Sequence, residues 1–193
     1  AMQAAAAVGG VALGADVADA DAVSALCRQV ESEGGCPDIV VSAAGAFALA
    51  SVSETGVEAF DAMLAVNLRA PFLLARAFLP AMLARRWGHL VTIGSIAGRV
   101  AFPHNGAYSA SKFGVRGLHA VLDAELRGTG VRATLVEPAA TDTPLWDAID
   151  AARHPGLPSR GAMLAPDVVA DAVVYALTRP PEVDVRSILL ERT

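Results

Sequence analysis

Three side chains in the stretch from Ile93 to Val115 have the types and spacing for acid–base chemistry: Ser95, Tyr108 and Lys112. A helix starting near Gly106 puts Tyr108 and Lys112, four residues apart, side by side on one face. A free phenol titrates near ~10 and is a poor base at neutral pH. An ammonium about 4 Å away, at an effective dielectric of ~20, favours the phenolate by roughly 4 kcal/mol. That equals about three pK units, which brings the phenol into the range of general acid–base catalysis. Ser95, at the end of a neighbouring strand, is then placed to hold the oxygen of a carbonyl or alcohol. A Tyr and a Lys four apart are common on helices, and Ser95 lacks the G-x-S-x-G spacing of a hydrolase nucleophile elbow. The order of strand, serine turn, helix with Tyr and Lys, then strand is what singles these three out.

The elements that must position them can be read along the chain. Val8 to Ala15 reads as a short buried strand, with Asp19 or Asp21 capping the helix that follows. Val23, Leu26, Cys27 and Val30 recur at helical spacing, and Gly34-Gly35 stops that helix. Asp38-Ile-Val-Val-Ser42 is uniformly apolar after its aspartate, as parallel strands buried on both faces are. Thr55-Gly-Val-Glu58 has the pattern of a capping box for a long helix to Arg86, which Pro71 and Pro80 should bend. His89–Gly94 and Val131–Val136 are further strands, Tyr108–Arg127 is a helix closed by Gly128, and Pro166 opens another as an N1 proline. Val185–Leu190 closes the chain as a strand. Strand and helix alternate throughout, which predicts a doubly wound parallel α/β sheet, Rossmann-like, in a single domain over 1–193. Ligands of such sheets lie at the carboxyl ends of the strands. Ala43–Gly45, Ser95 and Pro138–Thr143 all follow strands, so they are expected around one crevice.

Composition narrows the class. The 193 residues carry a net charge of −5 and no basic run, which argues against a nucleic-acid surface. Apolar residues reach 54%, much of it alanine suited to close helix–sheet packing. The uncharged run between Asp38 and Glu54 is too short and too broken to span a bilayer. The first residues lack the basic start of a signal peptide. Cys27 and Cys36 are expected as free thiols, and no Cys/His spacing suggests a metal. A cytoplasmic protein without membrane or nucleic-acid partners is expected.

With these residues in place, the chain resembles the short-chain dehydrogenase/reductase family from Val8 to about Leu190. Asn67, Ser95 and Tyr108-Ser-Ala-Ser-Lys112 match its catalytic tetrad. The resemblance implies that Tyr108 passes a proton to or from the substrate oxygen. Lys112 would lower the pKa of Tyr108 and bind the nicotinamide ribose, Ser95 would polarise the carbonyl, and Asn67 would hold a relay water. Asp16-Val17 matches the acidic pair that meets the adenine. Ser42-Ala43-Ala44-Gly45 matches the family's Asn-Asn-Ala-Gly turn, with both asparagines replaced. Pro138 to Thr143, including Thr141, matches the stretch that meets the nicotinamide amide, with Ala139 in place of a glycine.

One feature of the family is missing. The glycine-rich strand–turn–helix and the second strand have no counterpart, since Gly10-Val-Ala-Leu-Gly14 lies within the expected first strand and reads as structural. The expected N-terminal strand is therefore separated from Ile39–Ser42 by a gap that unpaired backbone would not tolerate. Three arrangements follow: the missing part belongs to the molecule beyond this stretch, the favoured reading; the N-terminal strand moves over to pair with the next; or the sheet is truncated.

Pro144 to Ala165 falls where the family places a mobile lid, with Trp146 and Leu145 facing an apolar part of the ligand and His104 and Asn105 beside the pocket. The chain lacks the Val-Asp-Gly-Gly ending of the acyl-carrier-protein reductase branch and looks more like the branch acting on hydroxy acids and small alcohols. NADP is favoured over NAD, and a secondary alcohol or ketone is the expected substrate. The helices at Val57–Arg86 and Tyr108–Arg127 resemble those the family packs into a homodimer or homotetramer. The alternative function is a non-catalytic or truncated member serving as a binding or oligomerisation module.

Overall fold

The computed structural model describes residues 2–149, 154 and 156–193. Four strands, β1 (Ile39–Ser42), β2 (Gly88–Ile93), β3 (Val131–Pro138) and β4 (Ser187–Leu190), form one parallel sheet in the order β1-β2-β3-β4. In register, Val41 pairs with Val91, Ile93 with Val136, and Pro138 with Leu190. Because the strands are parallel, their carboxyl ends share one rim.

Alternate residues of β2 and β3 bury against opposite helix layers. By contrast, β1 and β4 lie at the sheet edges with one face open, Ile39 and Val41 being exposed, so β1 is not buried on both faces as its apolar run suggested. On one face, α2 (Ala20–Gly34), α4 (Ala70–Arg85) and α5 (Gly106–Glu125) pack Cys27, Phe78, Met82 and Leu122 against Leu90, Val131 and Ala133. On the other face α6 (Pro166–Leu177) packs Ala172, Val169 and Val173 against Val91, Val136 and Ile188. Burying a side chain such as Phe78 or Met82 contributes roughly 1.5–3 kcal/mol. Helices on both faces of a parallel sheet are the doubly wound arrangement expected from the sequence.

Local chemistry sets several boundaries as expected. Asp19 caps α2, its carboxylate accepting from the Ala22 amide at 2.7 Å. Gly128, at φ 73°, provides the left-handed turn between α5 and β3. Pro166 stands in the first turn of α6.

Two expectations are corrected. The stretch 8–15 is not a strand. The alanine-rich Met2–Val8 forms a helix (α1), as its composition favours, and the residues after it run without regular structure, Val11 being 74% exposed. A strand needs a neighbour for its N–H and C=O groups. β1 is an edge strand, and among the described residues nothing pairs with its outer side, so the stretch has not moved over onto it. The capping box at Thr55–Glu58 also does not form. Gly56 occupies the cap position of α3 (Val57–Leu64) without a side-chain bond, because the Thr55 hydroxyl donates to the Ser51 carbonyl at 2.8 Å.

The expected long helix is continuous from Val57 to Arg85, but it contains a wider π-helical turn, Ala65–Arg69, between α3 and α4. Its length and hydropathy would suffice to cross a membrane. Met63, Leu73, Phe78 and Met82 are buried within the protein, which is the pattern of a core helix.

Candidate active site

The rim at the ends of β1, β2 and β3 gathers the chemistry. β2 ends at Ile93, and the Gly94 amide continues the ladder to the Val136 carbonyl at 2.7 Å. Ser95 then opens a short 3₁₀ turn, Ile96–Gly98, with its hydroxyl accepting from the Ala97 amide at 3.1 Å. This turn rests directly on α5. A side chain at Gly98 would place its Cβ 2.7 Å from the Lys112 carbonyl oxygen, so only glycine permits the approach.

On α5, Tyr108 and Lys112 face the same crevice. The Lys112 side chain is 5% exposed, its ammonium donates to the Ile93 carbonyl at 3.0 Å, and Nζ lies 5.5 Å from the Tyr108 ring centre. Among the described residues it forms no ion pair with a carboxylate. Burial therefore pushes the ammonium down to about 8. Burial also pushes the Tyr108 phenol up, and the neighbouring Ser95 hydroxyl offsets part of that rise. The lowering of Tyr108 by Lys112 expected from the sequence is thus not what this geometry gives. Removal from water outweighs an ammonium directed at a backbone carbonyl.

Asn67 sits in the π-helical turn and is 2% exposed. The extra residue of that turn directs its amide at the loop leaving β1. Its Oδ1 accepts from the Ala46 amide at 2.8 Å, and its Nδ2 donates to the Ala46 carbonyl at 2.9 Å and to the Ser111 hydroxyl at 3.0 Å. Ser111 in turn donates to the Tyr108 carbonyl at 2.7 Å. One amide thus joins the β1 exit to the helix that carries Tyr108. Asn67→Ala is expected to leave both Ala46 groups without partners and to cost about 2 kcal/mol, measured by urea unfolding.

Ala43, Ala44 and Gly45 leave β1 as an exposed, nearly side-chain-free ledge beside Asn67. Thr141 and Thr143 are half-buried in the loop after β3. Thr141 donates to the Ala139 carbonyl at 2.9 Å, and Arg160 holds the Thr143 carbonyl at 2.7 Å and Asp142 at 2.6 Å. Asp16 and Val17 lie in the turn before α2, where Asp16 accepts from the Ala18 amide at 2.9 Å. No described hydrogen bond joins them to the Ser95, Tyr108 and Lys112 group. His104, at φ 60°, is exposed with its ring 5.5 Å from that of His154, and Asn105 is buried at the start of α5. Residues 150–153 and Pro155 of the expected lid lie outside the described residues.

Trp146 belongs to a 3₁₀ turn, Pro144–Trp146, and packs on Phe47 with ring centres 4.9 Å apart. Phe47 in turn meets the Tyr108 ring edge-on at 4.8 Å. Sequence reasoning passed over Phe47, although an aromatic two residues beyond the β1 exit turn was a usable signal. The three rings give one wall of the crevice an apolar surface next to the phenol.

Comparison with known proteins identifies the family. A family model described as short chain dehydrogenase covers residues 2–154. Glycine betaine reductase ATRR of Emericella nidulans is 37% identical over 180 residues, 91% of this chain and 14% of that protein. An uncharacterized oxidoreductase of Staphylococcus aureus is 36% identical over 173 residues, 90% of this chain and 72% of that protein. Among solved structures, a metagenomic short-chain oxidoreductase in complex with NADP superposes with a TM-score of 0.80 at 32% identity, over 99% of this chain and 78% of that one. An alcohol dehydrogenase from the archaeon Thermococcus sibiricus, complexed with 5-hydroxy-NADP, gives 0.79 at 28% identity, over 93% and 74%. On the family model and these relatives, the chain belongs to the short-chain dehydrogenase family of oxidoreductases.

Proposed function

We propose that this chain catalyses NADP-dependent interconversion of a secondary alcohol and a ketone, with Tyr108 as general acid and base. The observation that carries the reading is the convergence of Tyr108, Ser95 and the buried Lys112 at the carboxyl end of β2. The donor set suits the nicotinamide half of the cofactor. Lys112 spends one N–H on Ile93 and keeps others for ribose hydroxyls, and the bare ledge Ala43–Gly45 admits a flat ligand close to backbone. Thr141 and Thr143 would hold the carboxamide, and Asp16 and Val17 the adenine. The NADP named with the related structures supports this cofactor, with NAD as the second choice.

When bound, the cofactor supplies or accepts the hydride. In reduction, the Tyr108 phenol, kept protonated by burial, gives its proton to the carbonyl oxygen while the Ser95 hydroxyl donates a second hydrogen bond to it. The Lys112 ammonium stabilises the phenolate that remains. Asn67 keeps the β1 exit and α5 in register. The Phe47–Trp146 wall favours an apolar substituent on the substrate. Exposed Phe60, Phe72 and Phe113 on α3–α5 support assembly as a homodimer or homotetramer. Residues 1–193 are read as one domain of a cytoplasmic enzyme.

The exposed stretch after α1 and the side of β1 that pairs with no strand among the described residues favour one competing reading, a binding or oligomerisation module without turnover. Thermal unfolding with NADP separates the two. Ligand at 100 times Kd should stabilise a competent site by ~2.7 kcal/mol, and a melting curve unmoved at millimolar NADP would reject the enzyme reading.

A further inference from the structure

Glu137 is the last residue of β3 before Pro138 and is 1% exposed, yet the catalytic steps above do not use it. Its carboxylate meets two cations from different elements. The Arg99 guanidinium, at the end of the Ser95 turn, donates to Oε2 through both Nε, at 2.9 Å, and a terminal nitrogen. The Arg116 Nε, one turn beyond Lys112 on α5, lies 3.7 Å from Oε1. The side chain also packs beneath the end of β2, since a Cβ at Gly94 would lie 3.2 Å from its Cγ. Gly94 follows Ile93, whose carbonyl holds Lys112.

We propose that Glu137 is a positioning residue of the active site, its carboxylate locking the Ser95 turn and the Pro138–Thr143 loop to the helix that carries Tyr108 and Lys112. This rests on the oxidoreductase reading for its catalytic consequence, but not for its structural one. A buried ion pair adds little net stability over apolar residues of the same size. Fixed geometry is what the carboxylate supplies here. Three segments, far apart in the chain, must hold a hydroxyl, a phenol and a carboxamide-binding loop at set separations. Two N–H groups of one planar guanidinium converging on the buried Oε2 restrict direction as well as distance.

The test compares wild type with Glu137→Gln by amide hydrogen exchange and by kinetics. Expected is exchange faster on the order of tenfold, confined to Ser95–Val100 and Ala139–Thr143. Turnover should fall by about tenfold to a hundredfold, as small misplacements of reacting groups do, with the NADPH dissociation constant changed less than about threefold. Arg99→Gln, at a half-exposed position that tolerates change, should loosen the Ser95 turn, and the double variant should add little to either single one. Unchanged exchange in both segments, exchange raised evenly over the whole sheet, or additive effects in the double variant would each overturn the proposal. A wild-type chain without turnover would sink the oxidoreductase reading while the exchange data still decide the role of Glu137.

Discussion

Tyr108→Phe is expected to lower turnover by about a thousandfold, the range lost with a general acid–base group, while the fold stays intact. On the proposed reading, the phenol hydroxyl is the group that gives a proton to a carbonyl held by Ser95. Phenylalanine keeps the ring that packs edge-on against Phe47 at 4.8 Å, so melting temperature and circular dichroism should barely change. The same assignment fixes the sign of the pH dependence. Burial raises the phenol pKa, so the protonated form needed for ketone reduction persists through neutral pH. Reduction should fade, and alcohol oxidation should rise, as the pH climbs toward the alkaline range. A Phe variant with near-normal rates, or an oxidation rate that falls with rising pH, would remove Tyr108 from the role of proton donor.

Lys112→Met should have opposite effects on activity and stability. The ammonium is 5% exposed and, among the described residues, has no carboxylate partner, and burial lowers its pKa from the ordinary 10.5 to about 8. The unfolded chain therefore binds the extra proton between about 8 and 10.5, and folding stability rises with pH across that window. Below it the cost is present in full, about 3 kcal/mol. Methionine has a similar shape, removes the charge and forfeits the bond to the Ile93 carbonyl and the ammonium's contact with the Tyr108 ring. At pH 7 the variant is expected to gain about 1–2 kcal/mol, or roughly 3–6 °C in melting temperature for a chain of this size. Turnover should fall at least about a hundredfold, because no cation is left to stabilise the phenolate. A less stable variant at pH 7 would show that the buried ammonium is compensated by something other than that carbonyl. An active variant would show that it is dispensable.

Such opposition between stability and activity is common at sites where a charge is held out of water. Gly98 contributes in another way. It lets the Ser95 turn lie against the backbone at Lys112, with no room for a methyl group, so Ser95 is placed by main-chain contact rather than by a flexible side chain.

Much of this was legible along the chain because it depends on near neighbours. Tyr108 and Lys112 share a face through helix geometry alone, and Asp19 caps its helix by accepting from the amide three residues further on. The apolar run Ile39–Ser42 marks a parallel strand, although only the structure shows that one of its faces is open. Ser95 and Asn67 stood out in the sequence by type and position, although the π-helical turn that aims Asn67 at Ala46 did not.

What escaped depends on distant partners. The stretch 8–15 has a strand-like composition, yet a strand exists only where another supplies its hydrogen bonds, and no described strand lies there. Thr55 and Glu58 have the pattern of a cap, but the hydroxyl found the Ser51 carbonyl first. Glu137 meets Arg99 across 38 residues of chain, and Phe47 meets Trp146 only once two loops converge. The pKa of Tyr108 also turned on tertiary structure. Residue spacing could specify the ammonium nearby, but only the packed crevice decides how much water is left, and that decided the direction.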